Sequence, residues 1–513
     1  MNARSEELVS GPARSHRSRP VWSITLILLA TQLVWTAADP LAAESAEPEA
    51  ISVEKAAAAI EGRFEDMGLD QGAFALINGE EELVAGYGSA TADTPFVIAS
   101  VSKSFTALAI LQLVENGLIA LDSPVTDYIN WFTTAEPATS ITVEQLLTQT
   151  SGLSTLDGMR DAFSPEVPLE QRVDSIARFN LVSEPGAEFH YSNLNYATLG
   201  LIVETVTGLS YGAYVQTEIF DPLGMGNTHF DFGQAQANGL ATGTISVFGL
   251  PVSQTPTPFP GLVPDGYLIS TAADMANYVR FQMGDGSFNG GRLLSPDNMA
   301  LMHTPAVTAE GGLYLDHYAM GWRTGNIEGE RLIAHDGNTF GYHADVAVLP
   351  DSDAAAVVLV ARSGMTVTRL EVPALQALVG GTPGQSRTST ISWIILDVVA
   401  ALLVLGATFS VVRRLRRRRM VPPPLPRRWP AIVQIVAGVM IGASVVLLAG
   451  SLAGGLDLIT FRVFWGLAPD VLIVAMAIFL LLIAMGTATI WERSKRAPSP
   501  AADVDPRKET ERV

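Results

Sequence analysis

Ser100 and Lys103 stand three residues apart in Phe96-Val97-Ile98-Ala99-Ser100-Val101-Ser102-Lys103-Ser104-Phe105. On a helix, positions i and i+3 are neighbours on one face, so the lysine nitrogen can reach the serine hydroxyl. A serine hydroxyl is a weak nucleophile until a neighbour takes its proton. A lysine does so only where burial lowers its pKa, because desolvation disfavours the charged form. The spacing therefore points to an activated serine nucleophile, against the bland alternative of a solvated lysine on an ordinary helix.

Two features favour the chemical reading. The run Phe105 to Val114 is apolar almost all round, and a helix of that kind is buried. Its free N–H groups and positive dipole end favour an oxyanion at the serine. Between residues 44 and 390 there are 13 basic residues, and Lys55 and Lys103 alone are lysines. A region that otherwise uses arginine has placed a lysine inside an apolar segment.

Other polar groups stand further along. Tyr191, in Glu188-Phe189-His190-Tyr191-Ser192-Asn193, lies between Pro185-Gly186 and a helical stretch. Its phenol could accept or donate a proton if nearby cations lower its pKa; taken alone it reads as a core tyrosine. His335-Asp336-Gly337-Asn338 ends a strand. Gly337 would let a substrate backbone approach closely, and the next N–H, that of Asn338, points where an oxyanion could lie. Taken alone, His335 reads as structural. Gly208-Leu209-Ser210-Tyr211-Gly212 matches G-x-S-x-G, but that elbow needs a preceding strand, and here a helical run precedes. Ser210 is read as chance. The seven histidines form no metal-binding pattern, so no metal or other cofactor is expected.

These residues need elements to position them. Gly72–Asn78 and Glu82–Gly86 read as strands around the turn at Gly79-Glu80-Glu81, and Arg331–His335, Tyr342–Leu349 and Ala354–Ala361 as three more. Helical segments such as Val143–Thr148 and Tyr196–Thr207 lie between, and residues 234–265 read as an extended loop. Strands at both ends imply one sheet built from the two ends of the domain.

The chain has 513 residues and no cysteine, which excludes a disulfide framework and thiol catalysis. Residues 44–390 carry 13 basic against 41 acidic residues, a net −28. Such acidity repels nucleic acid backbones, so no nucleic acid partner is expected.

Residues 1–43 combine Arg4, Arg14, Arg17 and Arg19 with an uncharged run from Val21 to Ala38 and small residues beyond. This reads as a signal peptide or an uncleaved signal anchor. A linker at 380–392 follows the domain at 44–379. Three apolar segments follow within 393–490, Trp393–Val412, Ala431–Ala453 and Val471–Ile490, each long enough to cross a bilayer as a helix. The cluster Arg413 to Arg419 and the basic tail 491–513 mark the cytoplasmic side. The expected protein is multi-pass in the cell membrane through three or four helices, its polar domain outside and its C-terminus in the cytoplasm.

Taken together, these stretches resemble the serine β-lactamase and penicillin-binding-protein superfamily, in its class C-like branch. The resemblance rests on the S-x-x-K at Ser100, Ile141–Leu153, Pro185–Leu199, Leu268–Asp274 and Tyr318–Gly341, in that order, and covers roughly Val53 to Leu378. It implies an α+β fold: an antiparallel sheet flanked by helices plus an all-helical subdomain, here followed by three transmembrane helices. It implies that Ser100 is acylated, that Lys103 and Tyr191 share proton transfer, and that Asn193 binds the substrate amide. His335 would stand where class C β-lactamases carry lysine, and the N–H groups of Ser100 and Asn338 would form the oxyanion hole. A histidine there looks more like carboxypeptidases, D-aminopeptidases and esterases of this branch. Asp336 would add a negative charge where a carboxylate-bearing substrate docks. The reading is a membrane-anchored serine hydrolase acting outside the cell on an ester, a D-amino-acid peptide or amide, or a lactam. The alternative is a penicillin-binding receptor, or a catalytically weak binding protein, that signals through its membrane segments.

Overall fold

The computed structural model describes residues 52–381 apart from 137–139, 163–166, 248–249, 255–256, 313, 365–366 and 368. All of them belong to one compact unit. The leader 1–43, the linker from 382 onward, the three apolar segments and the tail lie outside the described residues. Among the described residues no helix is long and apolar enough to cross a membrane.

In chain order the main elements are helix α1 (Val53–Asp66), strands β1 (Gln71–Asn78) and β2 (Glu81–Gly88), and helices α2 (Ser102–Glu115), α3 (Val143–Leu147), α4 (Asn193–Thr207) and α5 (Ala272–Met283). Strands β3 (Val307–Gly312), β4 (Leu315–Tyr318), β5 (Arg323–Ile327), β6 (Glu330–Thr339), β7 (Tyr342–Leu349) and β8 (Ala354–Val360) follow, and helix α6 (Val372–Leu378) closes the order. The eight strands form one sheet in the order β2-β1-β8-β7-β6-β5-β4-β3. Every pairing in it is antiparallel.

The sequence explains why β8 is central. Ala-Ala-Ala-Val-Val-Leu-Val has no polar face, and all seven residues are buried, as a strand covered on both sides requires. Its odd and even positions feed different cores. Phe74, Leu76 and Val358 pack with Phe64 of α1 and Leu375 of α6 on one face. Ala73, Ala75 and Val357 pack on the other with Phe105 of α2 and Tyr278 of α5. Phe105 stacks on Tyr278 at 3.9 Å between ring centroids. Residues 102–113 of α2 are all buried, each large apolar side chain contributing roughly 1.5–3 kcal/mol. The helix that follows Ser100 is thus the axle of the helical layer.

One sequence reading needs correction here. Residues 234–265 are not one extended loop. They include most of a helix (Phe232–Ala237), two four-residue strands (Thr244–Val247 and Leu250–Ser253) and a short helical turn (Val263–Gly266). Their Gly, Pro and Thr content hid strands fixed mainly by tertiary pairing: Thr244 and Ile245 lie parallel to Arg362 and Ser363. Strands β3 to β5 also carried no legible signal, since Thr-Gly-Asn in β5 and Asp-His in β4 break apolar alternation.

Candidate active site

Ser100 sits in a one-turn 3₁₀ segment, Ala99–Val101, directly before α2. Ala99 has φ +47°, the left-handed region that costs a non-glycine residue free energy and recurs at functional sites. This bend leaves Ser100 half-exposed while Lys103, one turn on, is fully buried.

The Lys103 nitrogen lies 3.1 Å from Ser100 Oγ and 2.8 Å from Asn193 Oδ1, and it also donates to the Asp265 carbonyl. Burial pulls its pKa from 10.5 down to about 7, partly opposed by the Asp265 charge and helped by Arg172. Asp265 in turn forms a buried ion pair with Arg172 at 2.6 Å. A neutral amine has two N–H donors and one lone pair. With Asn193 and the Asp265 carbonyl taking the two donors, the lone pair is left for the Ser100 hydroxyl.

Tyr191 hydrogen-bonds the Ser100 side chain, while burial holds its phenol well above the ordinary tyrosine range, assisted by Tyr318. The phenol is therefore neutral, and the Lys103 nitrogen lies 4.9 Å from its ring centroid. The loop carrying Tyr191 is pinned by Gln149, a buried residue with φ +62°. Gln149 Oε1 accepts the Ser192 N–H at 2.9 Å and an Asn195 amide N–H at 2.5 Å. The Gln149 carbonyl accepts the His190 N–H at 2.8 Å.

On the sheet side, His335 is 2 % exposed, and burial lowers its pKa to about 3. It is a neutral ring, 2.7 Å from the Asp336 carbonyl and 3.5 Å from the Tyr318 hydroxyl. Gly337 makes room for the chain's own backbone. A Cβ there would lie 2.3 Å from the Ile98 carbonyl oxygen and 3.0 Å from the Ser100 nitrogen. The backbone that needs the space is the chain's own nucleophile turn. Gly337→Ala is expected to push β6 and this turn apart, costing about 1–3 kcal/mol as overpacking does. A lowered melting temperature together with slower acylation would check it.

Asp336 is also corrected. It pairs in register with Asp345, and direct partners share a face. Asp345 accepts from His343 at 2.9 Å and from the Leu370 N–H at 2.8 Å. Burial would raise the Asp336 carboxyl, but the basic side chains of Arg369, His343 and Arg323 around it act the other way, and it lies below its ordinary range. The carboxylate thus belongs to the α1/α6 face of the sheet, not to the face where Ser100 lies. Asn338 is half-buried on β6 in register with His343, and its Oδ1 is buried without a partner.

The structure brings Ser100, Lys103, Tyr191 and Asn193 into contact and places His335 and Gly337 beside them. Ser210 lies outside this group; its Oγ accepts the Ala213 N–H at 3.2 Å and caps a short helix. Sequence reasoning missed Gln149, Arg172, Asp265 and Arg323. The Arg323 guanidinium stands 5.9 Å from the Phe189 ring and 6.0 Å from that of Tyr318. Among the described residues it forms no ion pair.

Fold and site together define an α+β chain of the β-lactamase-like type, and the comparisons agree. The Beta-lactamase family model matches residues 56–381, more than half of the chain, and the chain belongs to that family. It is 30% identical over 297 residues to Protein flp of Staphylococcus aureus, covering 55% of this chain and 57% of that protein. It is 29% identical over 279 residues to Penicillin-binding protein 4 of Amycolatopsis lactamdurans, covering 52% and 72%. Among solved structures, the octameric penicillin-binding protein homologue from Pyrococcus abyssi aligns with a TM-score of 0.59 and 27% identity, covering 65% and 79%. The chain spans 57% of the length of Protein flp.

Proposed function

We propose that this chain is a serine hydrolase working through an acyl-enzyme, with Ser100 as nucleophile and Lys103 as its base. The carrying observation is the Lys103 nitrogen, buried, held near pKa 7 and 3.1 Å from Ser100 Oγ. In the acylation step Ser100 Oγ bonds to the substrate carbonyl carbon and its proton passes to Lys103. The Ser100 and Asn338 N–H groups receive the carbonyl oxygen as it gains charge. The bond to the leaving group then breaks, and Tyr191, a neutral phenol beside Ser100, hands on the proton that group needs. Water cleaves the ester so formed and restores Ser100. Asn193, by this reading, offers its amide to the substrate as well as to Lys103.

The substrate class is an ester, a D-amino-acid peptide or amide, or a lactam. Two of the similar proteins carry the name penicillin-binding, which supports a β-lactam as one probe. A neutral His335 supplies no cation, and Arg323, whose charge acts on His335 and on Tyr191, is the guanidinium on this side of the site. A screen of chromogenic esters, D-amino-acid amides and a β-lactam tests the reading. Turnover of a class that Ser100→Ala abolishes supports it, and inertness toward all three overturns it. For the active class, Arg323→Leu should erase any preference for carboxylate-bearing members, seen as a rise in KM for those members alone.

We also propose that the hydrolase domain is exported and held at the membrane by the apolar segments within 393–490, with the arginine cluster and tail inside. The asymmetry of the arginines supports this orientation. On intact cells, Ser386→Cys should react with an impermeant maleimide and Ser494→Cys should not. The reverse pattern would sink the orientation.

A further inference from the structure

Outside the active site, one surface has a composition unlike the rest of the domain. Strands Thr244–Val247 and Leu250–Ser253 form an antiparallel hairpin in which Ile245 pairs with Val252 and Val247 with Leu250. Direct partners share a face, so these four apolar side chains line one side. At its root Ile245 is fully buried. Toward the tip the same face emerges, with Leu250 68% and Val252 40% exposed.

The outer strand is an edge strand of its sheet. Another chain could cover such an edge by strand addition, but Pro251 stands in the middle of it and has no N–H to donate. Something without a strand is the better fit. Charge narrows the choice. Residues 232–264 contain no Asp, Glu, Lys, Arg or His, although residues 44–390 carry a net −28. An acidic domain pays to bring carboxylates to a lipid surface, whereas this segment has no charge to desolvate. Exposed contiguous apolar side chains mark an interaction surface.

We infer that the paired strands Thr244–Val247 and Leu250–Ser253 are a membrane-docking element, the apolar face of Ile245, Val247, Leu250 and Val252 seated in the interfacial layer of the bilayer. This rests on the proposal that the segments within 393–490 anchor the chain. The described residues end at 381, and the first apolar segment begins at Trp393. Twelve residues reach at most about 40 Å, so the domain never leaves the neighbourhood of the lipid. At such effective concentration a small apolar patch suffices for docking. The hairpin is tied to the catalytic layer, since the Thr244 N–H donates to the Gly341 carbonyl at 3.2 Å in the turn that ends β6. Docking would therefore hold the strand of His335 and Gly337 close to the membrane surface, where an amphiphilic substrate is concentrated.

The absence of cysteine makes the test direct. The full chain carrying Leu250→Cys is labelled with an environment-sensitive nitrobenzoxadiazole dye and reconstituted into phosphatidylcholine–phosphatidylglycerol vesicles. Leu118→Cys is the control: Leu118 is 53% exposed but lies just past the far end of α2, between Glu115 and Asp122. Expected is co-flotation of both chains with the vesicles. The dye at position 250 should shift to the blue and be quenched by lipids spin-labelled near the headgroup, and the dye at 118 should do neither. Adding Val252→Asp should reverse the shift. A chain that floats while the dye at 250 stays in water overturns the docking inference and leaves the anchor standing. So does equal quenching at 250 and 118. A chain that fails to float overturns the anchor, and the inference with it.

Discussion

A fluorophosphonate or a fluorescent penicillin added to the purified chain should leave one covalent adduct, and Ser100→Ala should abolish it. Intact-mass measurement reads the result directly. Ser100 is half-exposed at a bend, with a neutral amine and a neutral phenol both within reach of its hydroxyl. Ser210 has the G-x-S-x-G context, but its oxygen is engaged in capping a helix. Ser210→Ala should therefore keep the adduct at full stoichiometry. An adduct on Ser210, or one that survives Ser100→Ala, would overturn the site assignment.

Lys103→Arg should slow acylation by about 10²–10⁴-fold, the usual contribution of general base catalysis. Arginine keeps the charge and most of the reach but stays protonated in proteins. The pH profile gives an independent reading. In the proposed mechanism Lys103 works as the free amine, and burial pulls its pKa down to about 7. Acylation by the wild type should rise with pH through about 7 and level off above it, while Lys103→Arg should lack that step. Stability follows the same group. Between about pH 7 and 10.5 the unfolded lysine holds a proton that the folded one has lost. Stability should thus rise with pH across that window, and Lys103→Met should remove that rise. If Lys103→Arg and Lys103→Met both fold and acylate at the wild-type rate, the base is elsewhere, and Tyr191→Phe becomes the decisive variant.

How much of this was legible in the amino-acid sequence depended on how local each signal is. Ser100 and Lys103 are three apart on one helix, so spacing and apolar context were enough. The strands from the two ends of the domain's chain were legible because β8 and all of β1 but its end residues are apolar. Arg172 and Asp265, 93 residues apart and paired in the interior, left no local mark. Gln149 was hidden for a different reason: a polar residue in Thr-Gln-Thr-Ser-Gly reads as loop, and its left-handed backbone and buried amide are tertiary facts. Asp336 was placed on the wrong face because a strand's alternation says which residues face together, not which layer covers them. At Gly337 the need for space was legible from the glycine, but the approach of the residue 98–100 backbone is a tertiary fact. The family resemblance supplied Tyr191 and Asn193, which the residues alone did not single out.

The position of β8 has a kinetic consequence. The last long strand of the domain in chain order is threaded between β1 and β7, joining residues near position 75 to residues near 357. Until that strand has emerged, β1 and β2 are a two-stranded ribbon with half of their hydrogen bonds unmade, and such a ribbon is marginal in water. Pairings this distant in sequence fold slowly, because the closure of a long loop precedes any gain from contact. A chain delivered N-terminus first would thus hold an unfinished, inactive domain for most of its synthesis. The turn that carries Ser100 can lock against Gly337 only once nearly the whole domain is available, which would tie the onset of the proposed activity to completion of the fold.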